Sequence, residues 1–476
     1  MGEEFEVSPS ISFKKAAIIY IIINSICALV IYYFLRNSTQ TIAATVFIAL
    51  VIGTLLFWKF RVAIAFIGIV ILLMTKTIDL KHTVEFMNLD VILFLIGMMI
   101  LVGLLRRSGF FRWFLAWGLK ISRFEPWRML IIFIVIAAVM AALVDEVTSI
   151  LFTTALVLDF SAFFKVKPIR LTMVVVLATN IGSSWTVLGN PIGILIALRS
   201  GLTFEDFLKN SFPIGIISLI SIIILALLWM RRDLIYFKKR IKEASDEQLD
   251  NFLEDLGTVE DKKMFLISTI IFFGVIISLA LHHRLELFMG LELNTMLVGT
   301  SILGAGLIML WQRNIARELL MTEVDWWTLV FFMFLFAKAG CLKYVGLTDV
   351  IAQSLYNLSG GDNTPLLITM ILWLSGITSA AADNVVVVST FIPVIQFLNQ
   401  QIDTPLLWWA LLFGGCYGGN MTMVGSTANI IALGILEDKR GYHMTLRYWL
   451  KIGFLGAVIP MLIGTIGLIF YHFLFQ

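Results

Sequence analysis

The chain has 476 residues, 59% hydrophobic and 14% charged, with a formal net charge of +3. Soluble domains carry roughly 25% charged residues, so this composition excludes a soluble enzyme and points to a polytopic membrane protein. Nucleic-acid binding is also excluded, because Lys and Arg are dispersed at the edges of apolar runs instead of forming one patch.

The elements follow in chain order. Run 16–35 matches the ~20 apolar residues that span a bilayer and lacks the small-residue cleavage pattern of a signal peptide. Runs 41–58, 62–75 and 90–105 come next, then a basic amphipathic stretch, 109–123, expected to lie on the membrane surface. Arms 129–143 and 147–160 flank Asp145-Glu146. Segment 168–198 is apolar but interrupted, 212–230 crosses, and 231–263 is a charged linker, expected to be solvated. Runs 264–281, 292–310 and 326–342 follow, with 347–358 on the surface. Arms 366–377 and 385–398 flank Asp383-Asn384, 406–436 is a second interrupted segment, and 452–470 is the last crossing. Alternating short strands are absent, which argues against a β-barrel. The fold class is an all-α polytopic membrane protein.

The order of elements repeats. Leu143-Val144-Asp145-Glu146-Val147 recurs as Ala381-Ala382-Asp383-Asn384-Val385, and each is followed by an interrupted apolar segment. This divides the chain into an N-terminal segment with an extra helix (1–40), a first repeat (41–230), a cytoplasmic linker (231–263) and a second repeat (264–476). Most of the 35 Lys and Arg fall in blocks that one path places on a single side, the cytoplasmic one. That path puts the N-terminus in the cytoplasm of a multi-pass protein of the cell (inner) membrane. It has one condition. Each arm beside Asp145-Glu146 has ~15 residues and rises only about 22 Å, short of the ~30 Å hydrocarbon core. The arms therefore read as a re-entrant hairpin entering from the cytoplasm. The second pair, with poorly basic flanks, reads as one entering from outside, so the repeats are inverted.

Carboxylates at membrane depth are costly and mark functional sites. Asp145, Glu146 and Asp383 are the candidates, with Thr148 and Asn384 beside them. The first interrupted segment, Thr179-Asn180-Ile181-Gly182-Ser183-Ser184-Trp185-Thr186-Val187-Leu188-Gly189-Asn190-Pro191, cannot be a comfortable helix interior. Its counterpart holds Asn420, Thr422, Ser426 and Asn429, and aligning Thr186 through Gly189 on Thr422 through Gly425 brings the interruptions into register. Paired interruptions in two halves locate a transporter's binding site. Asn180, Gly182, Ser183, Thr186 and Asn190 are candidates from the first half. Up to three negative charges tilt the site towards a cation. A carboxylate that holds either a metal ion or a proton supplies the competition an antiporter needs. The coupling ion is then sodium or a proton, with no other cofactor. Lys338, the lone cation within a span, reads as a snorkelling side chain or as a charge partner for a tip. Cys27, Cys341 and Cys416 show no ligand spacing and read as free thiols. His282-His283 reads as a wet loop, and Asp90 and Asp325 as helix N-caps. An enzyme is disfavoured, since neither the paired Asp motif of an intramembrane protease nor His-Glu-x-x-His occurs.

These motifs resemble the ion transporter superfamily: an Asp-led hairpin tip, then Gly418-Gly419-Asn420-x-Thr422-x-x-Gly425-x-x-Ala428-Asn429. The nearest branch holds arsenite-permease-like proteins, NhaD-type sodium/proton antiporters and the melanosomal P protein, with divalent anion/sodium symporters more distant. The resemblance covers about residues 41–470. It implies inverted repeats, hairpins and discontinuous helices in a moving transport domain, and a homodimer through the other helices. Three positions depart from the pattern. Glu146 stands where Asn is usual, Asn190 where Asp is usual, and Ile192-Gly193 where Pro-Asn is usual. Substrate identity is what these departures bear on: a small cation, arsenite or another solute, or an organic anion.

Overall fold

The computed structural model describes residues 13–361, 363–402, 404–442 and 444–474. They form helices joined by short loops, with no strand among the described residues. Ten helices among the described residues are long and apolar enough to cross a membrane. Shorter apolar helices, including Ile169–Gly182, Pro191–Ser200 and Thr295–Trp311, lie among them. The protein is a multi-pass membrane protein.

Around Asp145-Glu146, Pro126 opens the helix Pro126–Leu143, where its fixed φ and missing N–H cost nothing. The chain breaks at Val144-Asp145 and resumes as Glu146–Phe163. The two helices run antiparallel: Ser149 Oγ donates to the Ala137 carbonyl at 2.9 Å, and the Phe133 and Phe160 rings meet at 5.6 Å. Around Asp383 the same plan gives Thr364–Ala381 and Asn384–Gln401.

Each interrupted segment is a helix pair with an irregular centre. Ile169–Gly182 stops and Pro191–Ser200 starts after Asn190. Leu406–Gly418 passes through the turn Gly419–Met421 before Thr427–Arg440. The same two contacts anchor both. Thr186 Oγ1 donates to the Ala142 carbonyl, and Thr422 Oγ1 donates to the Ala380 carbonyl at 2.5 Å. A Cβ added at Gly182 would strike the backbone of Ala138, and one at Gly418 the backbone of Gly376. Glycine at these two positions lets each interrupted helix lie directly on a tip-bearing helix.

A second layer of helices faces this group. Leu89–Arg107 packs on Thr295–Trp311 and Trp326–Tyr344 on Arg61–Met74. At the end of Leu89–Arg107, Arg106 and Arg107 both bind the buried Glu323 carboxylate, Arg107 at 2.7 Å, and Arg107 also reaches Glu318 at 2.8 Å.

Four expectations change. Lys338 does not snorkel: it is 1% exposed, and its amine meets the Ile64 carbonyl at 3.4 Å. Gly68 makes the room, since a Cβ there would strike the amine. His282 is not in a wet loop but opens the short helix His282–Met289, with Nδ1 bonded to the Leu279 carbonyl at 2.7 Å. Asp90 does not cap its helix; Asn88 holds that position, and Asp90 pairs with Arg199 at 2.8 Å. Asp325 does cap, accepting from Thr328 N. The linker is not merely solvated. Its helices Arg231–Lys242 and Asp246–Gly257 dock by Phe237 on Phe160 (6.0 Å) and Phe252 on Phe163 (4.5 Å), because each carries an apolar stripe as well as its charges.

Candidate functional site

The two acidic tips meet. Asp145 accepts from Thr148 N and Thr148 Oγ1, both at 2.8 Å, and so caps the helix it precedes. Its φ of 152° is positive, a conformation essentially restricted to glycine and costing roughly 1–3 kcal/mol, which residues hold mainly at functional sites. Asp383 accepts from Val385 N at 3.0 Å and from Thr427 Oγ1 at 2.5 Å, so the second tip is tied to the second interrupted helix. Glu146 and Asn384 link the halves: Asn384 Nδ2 lies 3.4 Å from Glu146 Oε2. Both side chains are buried, and Asn384 Oδ1 has no hydrogen-bond partner among the described residues.

A cavity of about 510 Å³ reaches this point. It is lined by Asp145, Glu146, Thr148 and Asn190 from the predicted set. Val385 and Thr427 join from the second half, and Arg106, Glu323, Asp325 and Thr328 from the facing layer. A smaller cavity of about 250 Å³ lies towards the other end of Trp326–Tyr344, beside Arg199, Lys343 and Gln396. Phe332 lines the larger cavity and Phe336 the smaller, and their rings stack at 5.9 Å. The larger cavity reaches the tips; the smaller stops at Ser389, on the helix that follows the second tip.

Asn180, Asn420 and Asn429 do not line either cavity. They bond to one another: Asn180 Nδ2 donates to Asn420 Oδ1 at 2.8 Å and to Asn429 Oδ1 at 2.9 Å. Ser426 Oγ donates to Asn180 Oδ1 at 3.1 Å, and Asn429 Nδ2 donates to the carbonyls of Gly419 and Thr422 at 2.8 Å. Asn190 caps its helix through Gly193 N and donates to Ser183 Oγ at 3.0 Å and Cys416 Sγ at 3.2 Å. Gly182, Thr186 and Thr422 hold the interrupted helices against the tips, as described above. No ion pair joins Lys338 to a tip among the described residues.

Arg61 escaped the sequence reading, which counted it among flanking basic residues. It is 5% exposed, lies over the Trp58 ring at 4.0 Å, and donates to Thr328 Oγ1 at 2.8 Å. Thr328 in turn donates to Asp325 at 2.5 Å on the cavity wall. The aromatic residue three positions earlier was the available signal, since Arg is the cation that stacks on rings.

Residues 46–414 match the citrate transporter family. The chain belongs to that family. An uncharacterized transporter of Mycobacterium tuberculosis is 31% identical over 352 residues, covering 73% of this chain and 78% of that protein. The human P protein is 28% identical over 528 aligned positions, covering 93% of this chain and 62% of that protein. The 46 kDa membrane protein of Mycobacterium leprae is 30% identical over 355 residues, 73% of this chain and 79% of that one. The resemblance read from the tip and Gly-Asn motifs is thereby established, including the P protein. As a member of the family the protein is a membrane transporter and not an enzyme.

Proposed function

We propose that the protein exchanges a small cation, of sodium type, for protons by alternating access, with the ion held where the two tips meet. The observation that carries this reading is the buried Asn384 Oδ1, left without a donor beside the Glu146 carboxylate and the Asp383 tip. An unpaired buried acceptor costs about 1–3 kcal/mol. A bound cation relieves that cost, as does a proton on the neighbouring carboxyl once the Asn384 amide turns its oxygen towards it, and one excludes the other. Two cavities separated by the Phe332–Phe336 stack support alternating access.

The experiment is the half-saturating cation concentration in proteoliposomes, measured at several pH values with the gradient held constant. Affinity should tighten as pH rises and the carboxyl loses its proton, then level off once it is fully ionised. A value independent of pH refutes the antiport reading.

A second reading, an organic anion carried with a cation, is favoured by the cavity. Its roughly 510 Å³ exceeds what a bare ion needs and falls within the range of about 300–1,000 Å³ that holds small organic molecules. Arg106 lines it, and the family is described by citrate. Uptake of labelled citrate with and without divalent cations, beside sodium, lithium, potassium and arsenite, separates the readings.

The repeats are proposed to be inverted in the inner membrane, with residues 1–40 leading in from the cytoplasm. The matched Thr186 and Thr422 contacts support a duplication, and the basic residues support the orientation. The exposed Lys165 follows the first tip-bearing pair, and the exposed Gln400 stands in the last turn of the second, in Asn384–Gln401. Lys165→Cys should label only from the cytoplasm and Gln400→Cys only from outside; labelling from the same side defeats inversion. Asp403, two residues beyond that helix, lies outside the described residues.

A further inference from the structure

The amphipathic helix Phe110–Ser122 turns through residues 123–125 and leads into Pro126–Leu143. Between the two helices runs a groove of about 130 Å³. Its lining is apolar throughout: Phe114, Trp117 and Ile121 on one side, Ile132, Val135 and Val139 on the other. Gly118 sets the floor, because a Cβ there would strike Ile136. Trp117 and Ile121 are about half exposed, at 51% and 52%, so the groove faces outward from the protein. The contacts fix its direction. Gly118 faces Ile132 and Ile136, so Ile121 and Ile132 lie towards the turn and Phe114 and Val139 lie away from it.

Charge gathers at the turn end. Lys120, Arg123 and Arg128 are exposed there, and Arg128 lies over the Trp127 ring at 5.1 Å. None of the three forms an ion pair among the described residues. The acid within the turn, Glu125, faces Lys238 at 3.9 Å instead. An apolar slot with unpaired cations and an indole at one end matches a molecule with an apolar chain and an anionic head. Tryptophan and basic side chains take that position at the level of lipid headgroups.

We propose that this groove binds one anionic phospholipid, with an acyl chain along Trp117, Ile121, Ile132 and Val135 and its phosphate at Lys120, Arg123 and Arg128. The helix Pro126–Leu143 that forms one wall leads directly to Asp145, so the lipid borders an element that carries the ion site. The inference does not depend on which substrate is carried.

The test uses the full chain released from nanodiscs containing equal phosphatidylglycerol and phosphatidylethanolamine, with retained lipid counted by native mass spectrometry. One phosphatidylglycerol should be retained in preference, and Arg123→Gln with Arg128→Gln should reduce that preference by roughly 25-fold, from about fivefold per basic residue. Val135→Trp should displace the lipid while leaving every charge in place, since Val135 is a partly exposed groove residue. Lys120→Gln, a single exposed change, repeats the charge test should the double variant not fold. Equal retention of both lipids overturns the proposal, as does a preference that survives the charge and groove variants. A second copy of the chain cross-linked through Val135→Cys in place of lipid also overturns it.

Discussion

Asp383→Asn, Asp145→Asn and Glu146→Gln should each reduce coupled transport to the level of empty proteoliposomes while the protein still inserts and folds. The local geometry separates the two outcomes. Asp383 caps its helix through Val385 N and accepts from Thr427 Oγ1, and Asp145 caps through Thr148 N. Asn caps about as well as Asp, and a hydroxyl can rotate to accept from the new amide, so stability should change by only a few tenths of a kcal/mol. The charge, by contrast, has no substitute at the junction of the tips. Glu146→Gln removes the charge that Asn384 Nδ2 faces at 3.4 Å while keeping the length of the side chain. Wild-type flux in any one of the three, with the same amount of protein in the membrane, removes that residue from the mechanism.

The second large effect is on stability. Gly418→Val should lower the thermal unfolding midpoint in detergent sharply and abolish transport, and Gly182→Val should do the same. The atoms that an added Cβ would meet are backbone atoms of Gly376 and Ala138, which cannot rotate aside as a side chain can. Overpacking of this kind costs about 1–3 kcal/mol and at times more, and it would also part the interrupted helix from its tip. The controls are Gly274→Ala and Gly299→Ala, which have nothing within 4 Å and lie in helix interiors. Those should be neutral or stabilising by up to about 1 kcal/mol, the helix preference of Ala over Gly. Should Gly418→Val behave like the controls, the close approach is not present in the folded protein.

The tips were legible because a carboxylate within an apolar run has few explanations. Thr186 and Thr422 were legible because their neighbours repeat. What the sequence could not show was who pairs with whom. Asn180, Asn420 and Asn429 were read as ligands because polar residues in broken helices usually are. Their partners lie 240 and 249 positions from Asn180, and nothing local distinguishes an amide that waits for an ion from one that satisfies another amide. Lys338 and Arg61 failed for a related reason. Position in a run suggests a route to the surface, whereas the space that Gly68 leaves for Lys338 and the Thr328 hydroxyl that holds Arg61 are tertiary facts. The docking of the linker was within reach. Phe237, Ile241, Phe252 and Leu256 fall at helical spacing among the charges, and attention to net charge alone hid them.

The amide cluster also bears on leakage. Asn180 belongs to the first interrupted helix, Asn420 and Asn429 to the second, and Trp449 Nε1 fastens the Asn420 carbonyl at 3.0 Å. Pulling one interrupted helix away by itself would strand several buried amide groups, each at about 1–3 kcal/mol. The links across the seam to the facing layer, such as Arg199 to Asp90 at 2.8 Å and Lys343 to Gln396 at 3.0 Å, lie at partly exposed side chains that can exchange a partner for water, so sliding along that seam strands no buried amide. The cheap displacement is therefore of both half-sites together. Under the proposed exchange, an ion held between the tips could then not slip out past one while the other stays shut, and the amide stitching would keep the membrane tight between turnovers.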